Sequence, residues 1–172
     1  PILNTAAVIY TEFSRNTPLL VQLFFLYFGL PKVGIRISGE WCAIIGLAFL
    51  GGSYMAEALR AGLESVSTVQ TESARVLGLT PFQTMMLVVL PQAIKNVLPA
   101  LGNEVVTMVK ESSICSTLGM VELMFAAKTV ATSTYISLAP YVLAALMYFC
   151  ITYPAGKAIE ALERRMRRGD KH

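Results

Sequence analysis

The sequence predicts an all-α, polytopic membrane protein: a bundle of four crossing helices with two short helices projecting into water. Three observations lead there. Hydrophobic residues make up 55% of the 172 residues and charged ones 15%, with a mean hydropathy of +0.59, whereas a soluble domain holds about 45–50% apolar and about 25% charged residues. Long stretches carry no charge at all. Finally, Lys157, Arg164, Arg165, Arg167, Arg168 and Lys171 follow directly on an apolar run, a basic bias that marks the cytoplasmic end of a span. The tail 157–172 is therefore expected in the cytoplasm. The net charge of +3 reports topology rather than affinity for nucleic acid, because no basic stripe interleaves with aromatics.

The spans come in order along the chain. Asn16 to Pro31 is uncharged but short, and it reaches the roughly 20 residues a membrane helix needs only if helix extends back to about Ala6. Trp41 to Ala56 is free of charge and continues through Glu57 to Leu63 as the second span. The third, about Ala93 to Val109, carries Lys95, Asn96 and Glu104, so it must face a partner or a polar cavity rather than lipid. Thr129 to Gly156 is uncharged and completes the set. Counting back from the basic tail puts Lys110 to Thr134 outside, Ala61 to Gln92 inside and Leu30 to Glu40 outside.

The region between the second and third spans is punctuated clearly. Ser67-Thr68-Val69-Gln70 fits a capping box, the Ser67 hydroxyl meeting the Gln70 amide while the Gln70 side chain reaches back. Helix then runs over 68–77 and ends at Gly78, which suits the left-handed position past a helix end. Thr80-Pro81-Phe82-Gln83 is a second box with proline at the first helical position, where its missing N–H costs nothing. Two short helices, 68–77 and 81–90, thus meet at a Gly-Leu-Thr-Pro corner, and Pro91 and Pro99 interrupt or kink the next helix. A short, rigid, capped helix in water can seat in a partner's groove and take up its motion. Glu72 and Arg75, three apart on one face, present charge there, and Ala74 keeps that face slim.

The same region reads E-x-A, three residues, G, nine residues, V-x-L-P, in Glu72, Ser73, Ala74, Gly78, Val88, Leu90 and Pro91. This resembles the cytoplasmic coupling loop of bacterial ABC-importer permeases, with Ser73 in place of the first alanine of an E-A-A and Val88 in place of an isoleucine. Asn16-Thr17-Pro18-Leu19-Leu20-Val21-Gln22, Glu57-Ala58-Leu59-Arg60-Ala61-Gly62 and Leu101-Gly102-Asn103-Glu104 resemble the polar amino acid branch, the histidine, glutamine and arginine type. The resemblance runs from about Tyr10 to about Arg165. It implies a MetI-like helical bundle, one transmembrane domain over 1–172 with a further helix upstream of Pro1, and a coupling loop over about 65–91. It implies a multi-pass protein of the bacterial inner membrane. The partners implied are a cytoplasmic ABC ATPase dimer, a second permease, identical or paralogous, and an extracytoplasmic amino-acid-binding protein. It also implies that Asn103, Glu104 and the Lys110-Glu111-Ser112-Ser113 turn line the translocation path.

Polar residues within spans are functional candidates in their own right: Arg15, Asn16, Gln22, Glu57, Asn103, Glu104, Lys110 and Glu111. A zwitterionic amino acid needs an anion for its ammonium and a cation or N–H group for its carboxylate. Glu104 with Lys110 or Arg15 can supply that pair. The plainer alternative is inter-helix hydrogen bonding, or a structural Arg15–Glu104 ion pair. Catalysis finds no residues: His172 is the sole histidine, Asp170 the sole aspartate, Ser53 sits in no nucleophile elbow and no P-loop occurs. Cys42, Cys115 and Cys150 form no C-x-x-C, so neither a zinc site nor a disulfide framework is expected, and no cofactor is expected in this chain. A channel would want a filter-like repeat or an acidic ring. A permease of another importer branch, for methionine, phosphonate or metal, stays open.

Overall fold

A computed structural model describes residues 2–168, helical throughout with no strand among the described residues. Asp170, Lys171 and His172 lie outside them. The described residues form seven helical segments: α1 (Ile2–Asn16), α2 (Leu19–Val33), α3 (Gly39–Glu64), α4 (Thr68–Val76), α5 (Pro81–Leu118), α6 (Leu123–Thr134) and α7 (Leu138–Arg168). Three of them, α3, α5 and α7 as far as Met166, are long and apolar enough to cross a membrane. α3 packs on α5, α5 on α7, α6 on α7 and α1 on α3.

The interior is small. Leu19, Leu23, Ala43, Leu50 and Cys115 form the core where α2, α3 and the end of α5 meet, with Tyr54 and Met108 against it. Most large apolar side chains of α7, among them Leu143, Leu146 and Phe149, face outward. Such a surface suits hydrocarbon, where helices associate through close backbone approach rather than through hiding apolar area. Glycines make that approach possible. A Cβ at Gly62 would stand 1.7 Å from Cγ2 of Val97 and 3.4 Å from the Ala93 carbonyl oxygen. Gly62→Ala is therefore expected to lower the melting point of the purified protein, by the equivalent of about 1–3 kcal/mol of overpacking. Val97→Ala in the same chain should restore most of it, and a melting curve unmoved by Gly62→Ala would contradict this packing.

Three expectations need correction. The first span is not one helix. It breaks at Thr17-Pro18, leaving α1 and α2, each too short to cross alone. Proline offers no N–H and pushes the residue before it out of helix; Pro18 is extended at ψ 139°. The break is stitched by Gln22, whose side chain is buried and donates to the carbonyls of Ser14 and Thr17, both at 3.0 Å. Helix end carbonyls have no intrahelical donor, so Gln22 serves structure here. Tyr10 and Ser14 donate to the Phe49 carbonyl at 2.7 and 3.2 Å and hold α1 to α3.

The second correction concerns 81–90, expected as a separate short helix. It is the first part of α5, which runs on past Pro91. A wide π-type turn over Met85–Val89 immediately precedes that proline, and such a turn relieves the ladder that the ring would otherwise break. Third, the last uncharged run is two elements. Thr129–Thr134 belongs to the short α6, and the chain turns at Tyr135, with φ +58°, before α7 begins at Leu138. Glu122 starts α6 by accepting from the Met124 and Phe125 amides at 2.7 and 2.5 Å, and it also accepts from the Tyr148 hydroxyl at 2.8 Å. That carboxylate ties α6 to α7.

Candidate functional site

The break between α1 and α2 opens a cavity of about 540 Å3. Arg15, Asn16, Thr17, Pro18, Leu19 and Leu20 bound it on one side, Leu50 and Tyr54 of α3 on the second, and Glu104, Thr107, Met108, Glu111 and Ile114 of α5 on the third. Glu104, Thr107 and Glu111 sit at helical spacing on one face. The start of α2 also borders this space; the Val21 and Gln22 amides donate to the Pro18 carbonyl at 3.0 and 3.2 Å, which leaves the Leu19 and Leu20 amides at a helix end of partial positive charge.

The charges are arranged unexpectedly. Arg15 does not pair with Glu104. Its Nη1 stands 3.6 Å from Oε2 of Glu57, and its guanidinium lies over the Tyr54 ring at 5.6 Å. Glu104 presents a buried Oε1 that accepts no hydrogen bond among the described residues. A buried carboxylate oxygen without a donor is costly; among the described residues Gln22 Oε1 and Thr84 Oγ1 are the other buried side-chain atoms left unpartnered, and of the three residues only Glu104 carries a carboxylate and lines this cavity. Asn103 leaves the group and lines a second cavity of about 530 Å3 with Lys95, Asn96 and Glu163. Lys110 is exposed and lines neither cavity, so the Glu104–Lys110 pair does not form. Ser112 turns back on its own helix, its hydroxyl donating to the Val109 carbonyl at 2.7 Å. Of the six path candidates, Arg15, Glu104 and Glu111 come together. Sequence reasoning missed Tyr54 and Thr107, although both fall in register with residues it singled out.

The loop over 65–91 is built by local bonds. Thr80 and Gln83 form the full capping box: the Thr80 hydroxyl accepts from the Gln83 amide at 3.3 Å, and Oε1 of Gln83 accepts from the Thr80 amide at 2.9 Å. Pro81 occupies the first turn of α5. Ser67 does cap α4, but it accepts from the Val69 amide at 3.3 Å, so the expected box with Gln70 is not made. Gly78 is left-handed at φ +82°. Its amide donates to the Arg75 carbonyl at 2.9 Å, and the Leu79 amide donates to that of Ala74 at 3.1 Å, the paired closure of a Schellman turn.

Ala74 requires a correction. It is 4% exposed and turned toward the π turn of α5, not toward solvent beside Glu72 and Arg75. The motif therefore has two faces. Ala74 seats α4 on α5, with Val88 and Leu90 half-buried in the same helix, while Glu72, Ser73 and Gly78 face outward and Pro91 is exposed. Val76 and Leu77 are 87% and 79% exposed, and Phe82 is exposed as well.

A helical bundle with three helices long and apolar enough to cross a membrane, and a cavity lined by Arg15, Glu104 and Glu111 at a broken helix, fits a membrane transport subunit. Residues 1–168 match the family described as binding-protein-dependent transport system inner membrane component, and the chain belongs to that family. It is thus a permease component of ABC importers, an inner-membrane subunit whose ATPase is a separate protein. It is 42% identical over 157 residues to the probable glutamine ABC transporter permease protein GlnM of Bacillus subtilis, covering 91% of this chain and 73% of GlnM. With the arginine transport system permease protein ArtQ of Bacillus subtilis it shares 36% over 162 residues, 94% of this chain and 74% of ArtQ. A crystal structure of an amino acid ABC transporter with histidines has a TM-score of 0.90 at 42% identity, covering 94% of this chain and 75% of that one. The MetNI methionine ABC transporter in an inward-facing conformation, at TM-score 0.68 and 21% identity over 94% of this chain and 76% of that one, shares the fold.

Proposed function

We propose that this permease passes polar, zwitterionic amino acids through the cavity between α1, α2, α3 and α5. The observation that carries the reading is the buried, donor-less Oε1 of Glu104 in a space also bounded by Arg15 and the amide end of α2. An ammonium group fits the first; a carboxylate fits the other two. Glu111 adds negative charge beside the ammonium position. Leucine, methionine and isoleucine side chains form the remaining wall, against which the aliphatic part of an amino acid can pack.

Two such permeases work side by side about an axis normal to the membrane, with a cytoplasmic ATPase dimer below and an amino-acid-binding protein above. The basic tail from Lys157 lies in the cytoplasm, on the same side as the loop 65–91. Glu72, Ser73 and Gly78 belong to the surface that meets the ATPase, with Val76, Leu77 and Phe82 beside them; Ala74, Val88, Leu90 and Pro91 hold that surface in shape.

Reconstitution in vesicles with the ATPase and the binding protein tests the reading. The intact amino acid is expected to compete for uptake at least about tenfold better than analogues lacking either the ammonium or the carboxylate, the effect of one charge-assisted hydrogen bond lost. Competition by either analogue as strong as that by the intact amino acid would overturn it.

A further inference from the structure

Four alternating charges run from the cavity wall along α3. Arg15 meets Glu57 at 3.6 Å; Glu57 accepts from Arg60, Nε to Oε2 at 3.0 Å and Nη2 to Oε1; Nη1 of Arg60 reaches both carboxylate oxygens of Glu64 at 2.7 and 2.8 Å. Glu57 itself does not line the cavity, whereas Arg15 and Glu104 both do. With Glu57 in place, Arg15 is drawn to one side, over the Tyr54 ring, and the Glu104 oxygen is left free. Arg60 has a second acid in Glu64, so it does not depend on Glu57 alone.

We infer that Glu57 is a positioning residue for transport: it holds Arg15 off Glu104, so that the cavity does not neutralise its own charges before the amino acid arrives. The inference rests on the reading of the cavity given above. A guanidinium has five N–H donors, and the one facing Glu57 leaves others for a substrate carboxylate. Remove the Glu57 charge, and of the two acids that bound the same cavity as Arg15, Glu111 and Glu104, the donor-less buried oxygen belongs to Glu104. Arg15 then swings to it, closing both substrate contacts in one movement. Opposite charges facing one cavity attract each other.

The experiment is a double-mutant cycle on uptake by the reconstituted full complex. Glu57→Gln is expected to raise the KM about tenfold, with a much smaller change in maximal rate, because the substrate must break an internal ion pair to bind. In an Arg15→Gln background, Glu57→Gln should add no further rise, since nothing remains to be held. Glu57→Asp keeps the charge but withdraws it, and a rise of about threefold, again only where Arg15 is present, serves if Glu57→Gln does not assemble. A KM unchanged by these variants, or raised equally with and without Arg15, overturns the inference. Arg15→Gln and Glu104→Gln alone separate the two claims. If neither alters KM, the cavity reading has failed; if both do and Glu57 behaves additively, only the positioning role has.

Discussion

Gly78→Val is expected to leave a permease that inserts and pairs normally yet no longer supports substrate-stimulated ATP hydrolysis. The reason is backbone conformation alone. A Cβ at position 78 would meet no atom within 4 Å, while φ is +82°. An alanine there costs roughly 1–2 kcal/mol for the left-handed conformation, and a β-branched residue is a true outlier. The two closing bonds of the turn, Gly78 to Arg75 and Leu79 to Ala74, depend on that conformation. When they open, the exit of α4 changes direction, and Glu72, Ser73 and Leu77 no longer present one surface. None of the cavity residues is touched. Gly78→Asn supplies the control, because asparagine tolerates this conformation and should keep most of the coupling. ATPase assays on the assembled complex read the outcome. Normal substrate-stimulated hydrolysis by the valine variant would remove this loop from the coupling role.

The corner at Gly78 and Thr80 was legible in the sequence because its causes are local: a glycine, the residue that takes positive φ at least cost, and a Thr-Pro-x-Gln whose bonds close within four residues. The spans α3 and α7 were legible for a similar reason, as long apolar runs must be helical in hydrocarbon. Other features depend on neighbours distant in sequence. Hydropathy averaged across Pro18 and suggested a continuous span, when the decisive fact was that Gln22 can stitch a broken one. Pro91 suggested an ending, but a widened turn just before it lets α5 continue. The side of α4 that Ala74 occupies is settled by α5 packing beneath it, which helical spacing within α4 cannot reveal. The choice of Arg15 between Glu57 and Glu104 belongs to the same class. Both acids were visible as polar residues in apolar runs, and only the crossing of α1 over α3 selects the first.

Glu104 should separate stability from function, and with opposite signs. Its Oε1 is buried and accepts no hydrogen bond among the described residues, so the folded protein carries an unrepaid desolvation cost at this position. Glu104→Leu removes the carboxylate, keeps similar bulk and is expected to raise the melting temperature of the substrate-free protein, by the equivalent of about 1–2 kcal/mol. Uptake should fall by about tenfold to a hundredfold, since the ammonium loses a charged acceptor. Glu104→Gln keeps the shape and one neutral acceptor, and it should lie between the two in both measurements. The pattern is that of a binding site held in readiness at the expense of the fold. Melting curves without substrate, set beside uptake by the same variants in vesicles, decide the matter. If Glu104→Leu lowered the melting temperature as it lowered transport, the carboxylate would be a structural anchor, and the ammonium would have to be received elsewhere in the cavity, with Glu111 the next acid on the same face of α5.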